Sequence, residues 1–234
     1  MMKIVISGFG KMGKEIFSIL EKRDDVTLFT TEEIQSFDTS IAADSICIDF
    51  TTPSAFRNNY RFIADNFKAT IVGTTGWNDI KDEVTSYFTE RGKTMIYASN
   101  FSIGVNIFFE IARVASGLTA HPVQYDPYII EYHHKFKLDS PSGTASTLRE
   151  IVEKESTKSV DIQSVRSGYI PGIHKVGFES ENDRIVIEHE AFSRRGFAEG
   201  AVAAALWSVQ IKGVYDFRTI LKEQFKKTVN YERD

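Results

Sequence analysis

A short apolar strand followed at once by three glycines constrains the fold of this chain most strongly. The run Ile4-Val5-Ile6-Ser7 leads into Gly8-Phe9-Gly10-Lys11-Met12-Gly13, and apolar residues then recur at helical spacing up to Lys22. In a dinucleotide-binding unit, such glycines permit the tight turn, the approach of the backbone to a pyrophosphate and the packing of the helix on the strand. The sequence therefore predicts a dinucleotide-binding turn over residues 8–13.

Two residues near this turn bear on which dinucleotide is bound. Glu32 follows a predicted strand over 26–30, about 20 residues past the glycines, where a carboxylate would bind the adenosine ribose hydroxyl. Glu32 and Glu33 could equally start a helix, and Lys11 could contact a 2′-phosphate. The predicted cofactor is therefore NAD or NADP, in its reduced form as hydride donor, with the choice left open.

Strands and helices continue to alternate over the first hundred residues. Apolar runs predict strands over 45–50, 69–72 and 94–97, and Thr52 with Pro53 predicts the cap and first turn of a helix. This alternation predicts an α/β fold with a Rossmann-type, doubly wound parallel sheet, which binds ligands beyond the carboxyl ends of its strands. The turns at two such ends are candidate cofactor loops, although they could also be plain connections: Gly73-Thr74-Thr75-Gly76 and Ala98-Ser99-Asn100-Phe101.

The alternation ends after a predicted helix over 103–116. Predicted strands then follow one another at 128–132, 162–166, 175–178 and 185–190, which indicates a second, α+β unit. We expect a dinucleotide-binding domain over 1–103 plus 212–234. Residues 104–211 are expected to form a domain for substrate binding and oligomerisation, because an exposed sheet face in so small a unit favours a homo-oligomer.

Two adjacent histidines and two nearby lysines stand out in the stretch 131–145. If a strand runs through it, His133, Lys135 and Lys137 share one face and His134 points to the other. An imidazole and an ammonium would then face one reaction volume. The alternative, that the histidines are packed or surface residues, is more common for an isolated histidine than for this cluster.

The second half of this stretch predicts the start of a helix. Ser140 can cap it, Pro141 suits its first turn, and apolar residues recur at Ala145, Leu148, Ile151 and Val152. The N–H groups of Ser142, Gly143 and Thr144 would form an anion site there. Proton donors beside an anion site indicate chemistry on a small carboxylate.

A metal site is disfavoured by the same pattern. Adjacent histidines diverge in a strand, and the chain has one cysteine, Cys47, which supplies no thiolate cluster. Cys47 lies in an apolar run and is expected to be a buried free thiol, as in a reducing compartment. Arg194 and Arg195 are adjacent guanidiniums for which ion pairing is favoured over substrate contact.

Charge and hydropathy exclude several classes of function. A formal net charge of −4 and a pI near 5.8 give no electrostatic signal for nucleic acid or an anionic membrane. The chain shows no basic leader with an apolar core and no apolar run long enough to span a bilayer. We therefore expect a cytoplasmic protein with a small-molecule substrate.

These motifs resemble the 4-hydroxy-tetrahydrodipicolinate reductase family along nearly the whole chain. The match is carried by Gly8 to Gly13, Asp49-Phe50-Thr51, Gly73-Thr74-Thr75-Gly76, Asn100-Phe101-Ser102-Ile103-Gly104-Val105-Asn106, the stretch 131–145, and Ser193 to Ala201 with Trp207. Gln163 stands where the family more often has histidine, so no role is assigned to it.

The resemblance implies that hydride passes from NADH or NADPH to a cyclic dicarboxylate, with loss of water, on the diaminopimelate route to lysine. It implies that His133 is a proton donor or acceptor and Lys137 the proton donor. It also implies that His134, Gly143 and Thr144 hold substrate carboxylates, that the cofactor lies against 8–13, 73–75 and 98–101, and that the protein is a homotetramer.

Two other functions share part of the pattern. Another two-domain NAD(P)-dependent dehydrogenase acting on a small carboxylate would share the glycine turn but not the histidine-lysine stretch. A non-catalytic dinucleotide sensor would keep the glycine turns and have no need for His133 and Lys137.

Overall fold

The structure is a computed structural model that describes residues 1–120 and 125–228. Its strands are β1 (Met2–Ser7), β2 (Val26–Thr31), β3 (Ser45–Asp49), β4 (Ala69–Val72), β5 (Thr94–Tyr97), β6 (Asp126–His133), β7 (Ile162–Arg166), β8 (Ile173–Glu179), β9 (Arg184–Glu190) and β10 (Val214–Asp216). Its helices are α1 (Lys11–Leu20), α2 (Thr39–Ala42), α3 (Pro53–Asn66), α4 (Lys81–Glu90), α5 (Ile103–Thr119), α6 (Gly143–Ser156), α7 (Arg195–Trp207) and α8 (Phe217–Thr228). None of the helices in these described ranges has the length and apolar character needed to cross a membrane.

The chain forms two compact units, of which the first combines Met1–Ile103 with the segment from Arg194 onward. Six parallel strands build its sheet in the order β10-β5-β4-β3-β1-β2. Every residue of β3 and β4 is buried, as expected for central strands of a parallel sheet that is covered on both faces. The predicted doubly wound sheet is therefore confirmed.

Helices cover both faces of this sheet with separate apolar clusters. On one face, α1, α7 and α8 pack with side chains such as Ile16 and Phe217 against Ile4 and Ile48. On the other, α3 and α4 pack around Phe56, Val84 and Phe88. Thr52 caps α3 by accepting the N–H of Ala55 at 3.2 Å, and Pro53 begins the helix, as predicted.

Two features of the first unit differ from the prediction. The sheet has a sixth strand, β10, whose three residues are too short for a periodicity signal. Helix α7 belongs to this unit, so the second unit ends at Ser193 rather than at residue 211. The reason is close packing by small residues: a Cβ atom on Gly200 would lie 1.7 Å from the carbonyl oxygen of Phe101.

The second unit, Gly104–Ser193, contains a four-stranded mixed sheet in the order β7-β6-β8-β9. Strands β6 and β7 are parallel, whereas β6 with β8 and β8 with β9 are antiparallel. Helices α5 and α6 contribute Phe109, Ala112 and Leu148 to an apolar cluster that includes Ile129 and Val176 of the sheet. The α+β character of this unit is confirmed.

Candidate active site

The three glycines after β1 meet three different steric demands. Gly8 has φ +87°, and a Cβ atom there would lie 2.6 Å from the carbonyl oxygen of Phe50. A Cβ atom on Gly13 would lie 2.2 Å from the carbonyl oxygen of Gly8, whereas one on Gly10 would meet no described residue within 4 Å. Gly8 thus makes the turn, Gly13 lets α1 pack on the strand, and Gly10 leaves its backbone open to a ligand.

The start of α1 presents backbone N–H groups beside this opening. Gly10 is the N-cap and makes no side-chain cap hydrogen bond, and Lys11 and Met12 form the first turn. Glu32, just after β2, accepts a hydrogen bond from the Phe9 N–H at 3.3 Å. A helix N-terminus is a favourable site for a pyrophosphate, and the Glu32 carboxylate lies next to it. These residues fit a nicotinamide dinucleotide.

The loops after β3 and β4 are joined by a buried carboxylate. Asp49 is fully buried and accepts hydrogen bonds from the hydroxyls of Thr51 at 3.0 Å and Thr74 at 2.5 Å. Burial raises the pKa of Asp49 above its usual value, against the effect of these hydrogen bonds. The Thr74 side chain is therefore engaged inside the protein, and Thr75 is the exposed threonine of this predicted cofactor loop.

The loop after β5 is anchored by its aromatic residue. Phe101 is 2% exposed and its ring centroid lies 4.8 Å from that of Phe217. Asn100 accepts the Ser102 N–H at 2.8 Å, Ala98 is half-buried and Ser99 is exposed. The Phe101 side chain packs in the hydrophobic core, so only the backbone of this residue is available to a cofactor.

In the second unit, the strand carrying the first histidine does not continue through the histidine-lysine stretch. Strand β6 ends at His133, and the chain turns so that the Lys137 N–H donates to the His134 carbonyl oxygen at 3.1 Å. The prediction that His133, Lys135 and Lys137 share a strand face is therefore wrong. Lys135 instead donates its backbone N–H to Gly168 at 3.2 Å, and this contact between distant segments makes the turn.

The predicted helix start is also displaced. Helix α6 begins at Gly143 and is capped by Ser142, whose hydroxyl accepts the Ala145 N–H at 3.2 Å, rather than by Ser140. The Ser142 N–H donates to Glu131 at 3.0 Å, so both groups are engaged within the chain. Among the described residues, a Cβ atom on Gly143 would meet nothing within 4 Å, which leaves Gly143 as the open part of the predicted anion site.

The buried centre of this region is Glu131, which the sequence analysis did not single out. Its side chain is fully buried, and its Oε1 accepts hydrogen bonds from the Ser142 N–H, the Ser164 hydroxyl at 2.7 Å and the Arg166 guanidinium at 2.7 Å. Its Oε2 lies 3.3 Å from His133 Nδ1 and 3.6 Å from His174 Nε2. Because side chains two residues apart on a strand point to the same face, the position of Glu131 relative to His133 was the one sequence signal that could have identified it.

Burial and charge set the protonation of these groups. Burial lowers the pKa of His133 to about 4, with His174 acting in the same direction and Glu131 opposing it, so its imidazole is neutral at neutral pH. Burial alone would raise the pKa of Glu131, but its interactions with His174, Ser142, Arg166 and Ser164 together hold it well below its usual range. Glu131 is therefore ionised.

The other predicted site residues lie close to this centre in the chain. Lys137 is an ion-pair partner of Asp139, with 2.8 Å between Nζ and Oδ1, and its side chain is 24% exposed. Arg166 also donates to the Asp139 carbonyl oxygen at 2.7 Å, which ties this turn to β7. His134 is half-buried, and its ring centroid lies 6.2 Å from that of Phe136.

Glu131, His133 and His174 also form a possible set of metal ligands, with ligand atoms within 4.8 Å of one another. The Arg166 guanidinium already neutralises Glu131, and the remaining two side chains are imidazoles. The set therefore lacks the negative charge that would favour a cation over the hydrogen-bonded arrangement.

Arg195 pairs with Glu199 one turn along α7, with 2.9 Å between Nε and Oε1, which agrees with the favoured structural role. Cys47 is fully buried. Burial, and to a smaller extent the charge of the nearby Asp49, raises the pKa of its thiol well above the usual value.

A glycine turn at the start of a parallel sheet and a separate unit with a histidine-lysine cluster define a two-domain nicotinamide-dependent oxidoreductase. The family described as dihydrodipicolinate reductase, N-terminus, matches residues 2–101, and its C-terminus matches residues 104–221. The chain belongs to the dihydrodipicolinate reductase family.

Curated relatives agree with this assignment. The chain is 35% identical over 238 residues to a 4-hydroxy-tetrahydrodipicolinate reductase of Christiangramia forsetii, covering 96% of this chain and 100% of the relative. It is 35% identical over 241 residues to the enzyme of that name from Methanoculleus marisnigri, covering 89% and 94%.

Solved structures agree in fold. A dipicolinate-bound dihydrodipicolinate reductase from Paenisporosarcina sp. TG-14 matches with a TM-score of 0.79 at 21% identity, covering 92% of this chain and 97% of that one. An aspartate dehydrogenase from Thermotoga maritima matches with a TM-score of 0.51 at 14% identity, covering 92% and 99%. At such identities the likeness shows the two-unit fold alone.

The different surroundings of two glycines give a paired prediction. Gly10→Ala should fold normally but weaken NADH binding about tenfold or more, because its methyl group would project toward the pyrophosphate. Gly13→Ala should be strongly destabilised, because its Cβ atom would overlap the Gly8 carbonyl oxygen. Thermal melting and NADH fluorescence titration measure the two effects.

Gly117→Ala is the matched control, since a Cβ atom there would have one neighbour within 4 Å in the described part of the chain, Glu155 Oε2 at 3.9 Å. Parent-like NADH affinity in Gly10→Ala would contradict the placement of the cofactor at this turn.

Proposed function

We propose that this chain reduces 4-hydroxy-tetrahydrodipicolinate to tetrahydrodipicolinate with NADH or NADPH and loss of water, in lysine biosynthesis through diaminopimelate. The observation that carries the proposal is the second unit's cluster: a neutral imidazole, an amino group and a helix start lie together within 131–145. The curated relatives bearing this enzyme name support it.

Hydride addition to an unsaturated nitrogen heterocycle requires a matching proton, and the chain's residues divide that task. The bound nicotinamide supplies the hydride. In our proposal Lys137 donates the proton, and His133, neutral at neutral pH, serves as proton acceptor or hydrogen-bond partner. Asp139, paired with Lys137, keeps the ammonium oriented until a substrate carboxylate competes for it.

Substrate carboxylates are assigned to the start of α6. Gly143 and Thr144 stand at a helix N-terminus, where backbone N–H groups and the helix dipole favour an anion. His134 is placed beside them, and its buried Nδ1 atom has no hydrogen-bond partner among the described residues. Ser142 contributes indirectly, since it caps the helix and holds its first turn against Glu131.

The cofactor is assigned to the first unit. The contacts proposed are the turn Gly8 to Gly13, the loop Gly73 to Thr75 and the loop Ala98 to Phe101. Within them, Gly10 is open, Thr75 and Ser99 are exposed, and the side chains of Thr74 and Phe101 are buried. NADH is the proposed physiological donor, because the Glu32 carboxylate would repel a 2′-phosphate.

A homotetramer acting in the cytoplasm is also proposed. On the face of the second sheet opposite the apolar cluster, Tyr128 lies over Gly177, while Val165 and Val186 are 37% and 47% exposed. Buried Ile129 and Val176 point to the other face. The face of Tyr128 therefore carries partly exposed apolar side chains beside the Lys175–Glu188 ion pair, which suits association with further copies through this sheet.

The proposed reaction is tested with the condensation product of pyruvate and aspartate semialdehyde. The parent should oxidise NADH when given this compound, and His133→Gln and Lys137→Met should each lower kcat by roughly 10²-fold or more, as loss of a positioned acid or base does. NADH affinity should stay near the parent value, because both residues lie in the second unit.

Lys135→Met is the matched control, since the Lys135 ammonium lies over the exposed Phe136 ring, 5.1 Å from its centroid. A parent that binds NADH but never oxidises it would overturn the proposed reaction. Variants at 133 and 137 that turn over like Lys135→Met would overturn the assigned proton roles.

Glu32 gives a separate prediction about the cofactor. The parent should have a higher kcat/KM with NADH than with NADPH, and Glu32→Gln should lower that ratio about tenfold, the effect of removing roughly 1.4 kcal/mol of repulsion. The change should come from a lower KM for NADPH. Glu33→Gln is the control, and an equal effect of both substitutions would contradict the assignment.

A further inference from the structure

One carboxylate connects the candidate proton-handling residue to the candidate anion site. Glu131 stands opposite Ser164 on β7 and opposite His174 on β8, and His133 stands opposite Arg166. The period of two along a strand places these side chains on one sheet face. That face also includes Ile129 and Val176 of the apolar cluster packed by α5 and α6, so Glu131 is fully buried.

The two oxygens of Glu131 have different partners. Oε1 is 3.0 Å from the Ser142 nitrogen and 2.7 Å from the Arg166 NH2 atom, and both partners can only donate. Oε2 faces His133 Nδ1 at 3.3 Å and His174 Nε2 at 3.6 Å, and both Oε2 and Nδ1 are buried without a well-aligned hydrogen bond among the described residues. Long catalytic hydrogen bonds are usual before substrate binds.

These contacts determine which ring nitrogen of His133 carries the proton. An ionised carboxylate only accepts, so the hydrogen between Oε2 and Nδ1 must belong to the imidazole. A neutral imidazole has one N–H, and Nε2 is then left as an acceptor. The space beside Nε2 is kept clear, because the Cβ atom that Gly172 lacks would lie 3.1 Å from it.

We propose that Glu131 is a positioning residue that holds His133 in the Nδ1–H tautomer and also holds the first turn of α6 through Ser142. A single buried carboxylate thereby sets the acceptor nitrogen of His133 relative to the N–H groups of Gly143 and Thr144. The kinetic part of this inference depends on the proposed reaction, whereas the tautomer does not.

Replacement of Glu131 by glutamine should reverse the tautomer. The amide oxygen must face the Ser142 N–H and Arg166, because those partners only donate. The amide NH2 group then faces His133 and requires Nδ1 as its acceptor, which moves the imidazole proton to Nε2. Glu131→Gln thus changes the atom that faces the reaction without changing the size of the side chain.

The direct test is ¹⁵N NMR of the protein labelled at histidine, at pH 7, with the His133 signals identified by their loss in His133→Gln. The parent should show a protonated Nδ1 and an unprotonated Nε2, and Glu131→Gln should show the reverse. A parent with protonated Nε2 overturns the inference, as does a parent spectrum that changes on addition of a chelator, since a bound cation would require an unprotonated ring nitrogen.

Kinetics give the second readout. Glu131→Gln should lower kcat about tenfold or more, with NADH affinity unchanged. Glu179→Gln is the matched control on β8, where Glu179 forms an exposed pair with Arg184 at 3.0 Å. A folded Glu131→Gln variant with the parent's tautomer and kcat overturns the inference. If Glu131→Gln fails to fold, the parent spectrum still tests the tautomer of His133. A parent without any turnover would contradict the proposed reaction and not the tautomer.

Discussion

An ionised carboxylate buried inside the second unit constrains everything around it. Removing a charge from water costs several kcal/mol, and the cost is met only where partners surround the charge. Glu131 meets this condition with donors from β7 and from the start of α6, so the strand, its neighbour and the helix must come together at one place. The site's geometry follows from this one requirement.

The first unit uses a related arrangement for a different purpose. Asp49 is buried at the carboxyl end of β3 and accepts hydrogen bonds from Thr51 and Thr74, in the two loops that follow β3 and β4. Because those loops lie where parallel sheets bind ligands, the carboxylate joins the two loops proposed to contact the cofactor. In each unit a buried acid thus joins segments that are distant in the sequence.

The sequence was most informative where one local signal determines the structure. Strands β4, β5 and β7 have the predicted bounds, because short apolar or alternating runs between turn residues leave few alternatives. It was least informative where distant segments decide. The end of β6 depends on the contact with Gly168. Helix α7 belongs to the first unit because Gly200 fits against Phe101. The role of Glu131 depends on the register of three strands.

In the proposed function, the start of α6 holds a substrate carboxylate next to His133 and Lys137. A crystal structure of the protein with NADH and pyridine-2,6-dicarboxylate, the ligand named for the Paenisporosarcina relative, tests it most directly. We predict that one carboxylate accepts hydrogen bonds from the N–H groups of Gly143 and Thr144, with His133 Nε2 facing the ring. A dicarboxylate bound away from this helix start, with His133 facing no part of it, would contradict the account.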